Sequence, residues 1–167
     1  MNKRGQLLGL PLLLVFALIV GAFILLYGAK VIYDLTQQAD YVDFLDRMND
    51  LDTNIQTFGA YDVGSSKVYA LDLSQNIDTI CFYDPSQSSS CTLDGEACSS
   101  DLEGELVVVE SSDYNVYIFP SGVYDRTRFT IQSFAPLEGN PVCVSNGKSI
   151  TIQSGKDSVG ISYYETS

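Results

Sequence analysis

The 167 residues carry 9 Lys and Arg against 21 Asp and Glu, with no histidine, for a net charge of −12. Without histidine there is no Ser-His-Asp or Cys-His catalysis, and the acid excess disfavours nucleic acid as a partner. No glycine-rich loop of P-loop or dinucleotide-binding spacing occurs, so neither an enzyme nor a bound cofactor is expected.

Residues 5–29 run for 25 positions without a charge. A helix rises about 1.5 Å per residue, so roughly 20 apolar residues cross a ~30 Å hydrocarbon layer. The run exceeds the roughly 7–15-residue apolar region of a cleavable secretory signal and lacks an Ala-x-Ala exit. Residues 1–29 therefore read as a cytoplasmic leader and a transmembrane helix. Lys3 and Arg4 precede the span and the first acid is Asp34. Short basic flanks stay cytoplasmic, which puts the N-terminus inside and the remainder outside, at the cell surface. Small residues at Gly9, Gly21, Ala22, Gly28 and Ala29 allow helices to approach closely. Self-association through this helix is expected, together with contact with membrane lipid.

Residues 30–60 continue as an amphipathic helix. Val31, Leu35, Val42, Leu45, Met48, Leu51, Ile55 and Phe58 recur mostly three or four apart, and six aspartates fill much of the other face. Gly59 is a natural stop.

From residue 61 the period falls to two, and residues 61–167 read as an extracytoplasmic β domain. Strands are expected at 67–73, 77–83, 105–110, 116–119, 128–134, 142–144, 149–153 and 158–164. Asn146-Gly147 signals a hairpin and residues 155–157 another turn. Residues 84–104, rich in serine and acids, read as a long loop. The fold class is α+β: a long N-terminal helix, then an antiparallel β-rich head. Residues 31–167, everything after the span, carry 6 basic against 21 acidic residues, −15 net.

All four cysteines lie in the head, and an even number outside the cytoplasm implies two disulfides with three connectivities. A short Cys91–Cys98 loop is preferred, which leaves Cys81 to Cys143. Zinc is disfavoured, because there is no Cys-x-x-Cys pair and no histidine. Asp94, Glu96, Asp101, Glu103 and Glu105 make a weak calcium candidate; their spacing is not that of an EF-hand, and a solvated acidic loop explains them as well. Tyr114, Tyr117, Phe119, Tyr124, Phe129 and Phe134 crowd one stretch. Strand aromatics of this kind usually pack a core; displayed, they would form a contact surface for a surface protein or glycan.

Lys3-Arg4-Gly5 before a hydrophobic stretch resembles the type III signal peptide of archaeal type IV pilin-like proteins. The resemblance covers the whole chain in architecture and residues 3–27 in detail. It implies cleavage between Gly5 and Gln6, a helix that first anchors the precursor and then polymerises, and a disulfide-stabilised head. Many members carry a glutamate five residues into the mature chain, where this sequence has Leu10. The functional expectation is a structural subunit of a filament or cell-surface assembly. The alternative is a signal-anchored binding module or an accessory subunit of a membrane complex.

Overall fold

The structure is a computed structural model and describes residues 6–88, 90–107 and 113–165. The chain divides into two compact units, Met1–Val42 and Asp43–Ser167. The long helix α1 (Gln6–Phe58) supplies all the described residues of the first and the opening residues of the second.

In the first unit, every large apolar side chain from Leu12 to Leu35 is exposed in the single chain. In the second, α1 presents a different face. Phe44, Met48, Leu51 and Ile55, spaced four, three and four apart, are buried almost completely. That stripe corrects the sequence reading, which passed over Phe44 and included Val42, here 56% exposed. The partner rings decide the phase: Phe44 stacks on Tyr124 at 5.1 Å and meets Phe129 edge-on at 5.6 Å.

Ten short strands and one further helix follow: β1 (Ser66–Ala70), β2 (Thr79–Phe82), β3 (Thr92–Leu93), β4 (Glu96–Ala97), α2 (Ser100–Val107), β5 (Val116–Phe119), β6 (Arg128–Phe129), β7 (Phe134–Pro136), β8 (Val142–Ser145), β9 (Ser149–Ser154) and β10 (Val159–Tyr163). They form a four-stranded sheet ordered β1-β9-β10-β7 and a six-stranded sheet ordered β4-β3-β8-β2-β5-β6. Pairing is antiparallel except for β10 with β7 and β3 with β8.

In the smaller sheet the period of two is plain: Ile150, Ile152 and Ser154 of β9 are buried while their neighbours are more open. Strands β2 and β5, in the middle of the larger sheet, are buried on both faces. The register places Ile80 beside Ile118 and Val144 on one face, and Cys81 beside Tyr117 and Cys143 on the other. That second face is covered by Leu93, Leu102, Leu106, Tyr83 and Cys91, which pack on Cys81, Tyr117, Phe119 and Cys143.

Cys91, Leu93 and Leu102 come from the stretch read as loop, so that reading is corrected. Asp94 and Gly95 both have positive φ, 54° and 86°, and close a two-residue hairpin between β3 and β4. Behind it, α2 is capped by Ser99, the residue before it, whose hydroxyl accepts the Leu102 N–H at 3.5 Å, with Asp101 and Glu103 in the first turn. The strand expected over 105–110 is likewise corrected: residues 105–107 belong to α2, and 108–110 lie outside the described residues.

Two other expectations change because strand pattern does not name the sheet. The chain does turn at Asn146-Gly147, where Gly147 has φ 82°, yet β8 and β9 lie in different sheets and do not pair. The strand expected over 128–134 breaks in the same way, with β6 in one sheet, β7 in the other and Ser133 at φ 64° between them.

At such crossings backbone groups lose their ladder and still need partners. Three asparagine side chains supply them. Asn115 donates to the Ile131 carbonyl at 2.7 Å and accepts its N–H at 2.9 Å. Asn140, 2% exposed, accepts from Asp84 N–H and donates to the carbonyls of Asp84 and Gln87. Asn146 accepts from Leu73 N–H and donates toward the carbonyls of Leu73, Ser74 and Ile77.

Candidate functional site

The charge-free part of α1 is the first candidate. By length and composition α1 is the one described helix able to cross a membrane, and none of its most apolar 18-residue stretch is buried within the chain. An apolar surface of that size is stable only against lipid or against other apolar helices. Gly21 and Gly28, seven residues apart, return to nearly the same face of the helix. A Cβ added at either would meet nothing within 4 Å. Gly9 is twelve residues before Gly21, which places it about 120° round the axis, so the three expected association glycines do not form one stripe. Gln6 is the first residue of α1, and Gly5 lies outside the described residues.

The acidic candidate resolves differently. Asp94 sits on the β3–β4 turn with both carboxylate oxygens engaged. One accepts the Ser145 N–H at 2.9 Å; the other accepts the Ser145 hydroxyl at 2.7 Å and the Lys148 ammonium at 3.0 Å. Burial alone would raise its pKa, but hydrogen bonds from Ser145 and Lys148 outweigh that and hold the carboxyl below the usual carboxylate range. Asp94 is thus a strut fixing the hairpin to the turn after β8. Glu96 lies on exposed β4, and Asp101, Glu103 and Glu105 lie exposed along α2. Among the described residues, no three carboxylates bring their oxygens within 4.8 Å of one another. The three sulfurs that do so, those of Cys91, Cys98 and Cys143, are all in disulfides.

Those disulfides are Cys81–Cys143 and Cys91–Cys98. The first joins residues directly opposite each other on β2 and β8, and the second ties the segments flanking the β3–β4 hairpin. Of the crowded aromatics, Tyr117, Phe119, Phe129 and Phe134 are buried, and Tyr124 stacks on Phe44. Only Tyr114 of that set is well exposed. The aromatic stretch is therefore mostly core.

Sequence reading missed a line of polar contacts along one side of α1. Arg47 bridges Asp43 at 2.9 Å and Asp72 at 3.2 Å, Asp50 accepts the Tyr69 hydroxyl at 3.1 Å, and Asn54 accepts from Lys67 at 2.9 Å. Burial first, then the Asp50 charge and hydrogen bond, push the Tyr69 phenol up to about 12. These contacts lock β1 to the helix. Their one local signal is the spacing of 47, 50 and 54, three and four apart on α1.

Comparison with protein-family models, curated proteins and solved structures returns no match. The N-terminal apolar helix suggests membrane anchoring and the two disulfides suggest an extracellular head.

Proposed function

We propose that the chain is a membrane-anchored, extracytoplasmic, pilin-like surface protein, a structural subunit of a filament or cell-surface assembly. The observation that carries this reading is the charge-free stretch of α1, whose large apolar side chains from Leu12 to Tyr27 are all exposed in the single chain. In this reading the helix anchors the precursor with its basic N-terminus in the cytoplasm and the head outside. After removal of residues 1–5, the apolar surface moves from lipid to the helices of other copies, driven by its burial among them. Disulfides support a head that works in an oxidising compartment.

Copies would meet where small residues let helices approach. Replacing Gly21 or Gly28 with leucine is expected to weaken self-association, read by cross-linking in mild detergent. The head should keep both disulfides and its circular dichroism, because a Cβ added at either position meets no other part of the described chain within 4 Å. Unchanged oligomers in both variants would contradict the reading.

A further inference from the structure

Among the described residues, strand β1 is an edge of the smaller sheet, with β9 as its one neighbour. Bonds at its two ends set the phase of the ladder: Ser154 N–H to the Ser65 carbonyl and Leu71 N–H to the Lys148 carbonyl, both 2.8 Å. Hydrogen-bonded pairs alternate along an antiparallel pair, so the main-chain groups of Lys67 and Tyr69 face β9. Those of Ser66, Val68 and Ala70 face away from the sheet, and none has a partner among the described residues. The strand is largely exposed and contains neither proline nor glycine.

Natural edges are commonly guarded by a lysine, a proline, a bulge or a covering element. Here the guards are occupied: Lys67 is held by Asn54 and Tyr69 by Asp50, so both long side chains reach back onto α1. An added strand would meet two different surroundings. On the α1 side are Asp43, Asp46 and Asp50, three and four residues apart on one helix face. Asp72 lies just beyond the end of β1, and the one nearby arginine, Arg47, is already bridged by Asp43 and Asp72. On the other face are Ser66, Val68 and Ala70, uncharged, with Val68 46% exposed.

We propose that the β1 edge binds an extended segment of a partner protein in which basic and apolar side chains alternate, added as a fifth strand of the smaller sheet. Main-chain bonds to Ser66, Val68 and Ala70 supply the affinity, and the aspartates on the helix side select the basic residues. This holds whether or not the protein assembles into a filament.

The test uses the full chain in detergent micelles and two capped hexapeptides, one alternating lysine with valine and one alternating glutamate with valine. With the lysine peptide at ten times its Kd, amide exchange at Ser66, Val68 and Ala70 is expected to slow about tenfold. The glutamate peptide, and a lysine peptide N-methylated along its bonding edge, should leave exchange unchanged. Val68→Pro removes an N–H that β9 does not use, so it should abolish binding while the head still melts as before. Should that variant unfold, the N-methylated peptide decides alone. No slowing, equal slowing by the glutamate peptide, or protection that rises with protein concentration and excludes the peptide (a second copy on the edge) would overturn the proposal.

Discussion

Phe44→Ala is expected to destabilise the head by about 3–5 kcal/mol, the usual cost of deleting a fully buried aromatic ring. Phe44 is 0% exposed and touches the rings of Tyr124 and Phe129, which lie far along the chain on and before β6. Its loss leaves a cavity between α1 and the strands, and close-packed surroundings relax into such a space only in part. Val42→Ala, two residues earlier and exposed, should change stability by no more than about 0.5 kcal/mol. Urea unfolding of both variants in mild detergent, followed by tyrosine fluorescence, measures the pair. Equal effects would mean that α1 docks on the face read from the sequence and not on the Phe44 stripe.

The second large effect concerns the staples. Cys81 and Cys143 are 62 residues apart, and chain-entropy reasoning assigns closure of such a loop about 4 kcal/mol. Cys91 and Cys98 are 7 apart, which lowers the figure to about 2 kcal/mol. The double variant Cys81→Ala with Cys143→Ala should therefore lose clearly more stability than Cys91→Ala with Cys98→Ala. Packing widens the gap, since Tyr117, Phe119 and Leu106 all rest against the first pair. In chemical denaturation the reverse order would show that the β3–β4 hairpin, not the β2–β8 pair, holds the head together.

The parts of this structure that were legible beforehand are those set by local pattern. A 25-residue run without charge can hardly be anything but an apolar helix; β2, β5 and β8 are short runs rich in β-branched and aromatic residues, and β9 alternates as a half-buried strand does. The pairing of sheets was not legible. A turn sequence such as Asn146-Gly147 fixes backbone angles over two residues, and those angles serve a hairpin or a crossing between sheets equally well. Asp94-Gly95 carries the stronger hairpin signal and was overlooked because the surrounding serines and acids looked like loop. Leu102 and Leu106, four apart behind a serine cap, were the available sign of α2, but Val107 and its valine neighbours drew the reading toward a strand. The role of Asp94 depends on Ser145 and Lys148, about fifty residues on, which no local pattern reports. The bridging asparagines are hidden for the same reason: Asn146 reaches Leu73 across 73 positions. For the apolar helix the position is reversed, because its exposed surface is the sequence pattern itself.

The central claim is that α1 begins as an anchor and is released, by cleavage before Gln6, into an assembly of helices. The most direct test is the N-terminal residue of the native protein, determined by mass spectrometry of its first peptide. A chain that starts at Gln6 is the predicted result and places a processing step at the start of α1. A chain that starts at Met1 or Asn2 would contradict the account, because an anchor that keeps Lys3 and Arg4 remains a permanent membrane span and not a filament subunit.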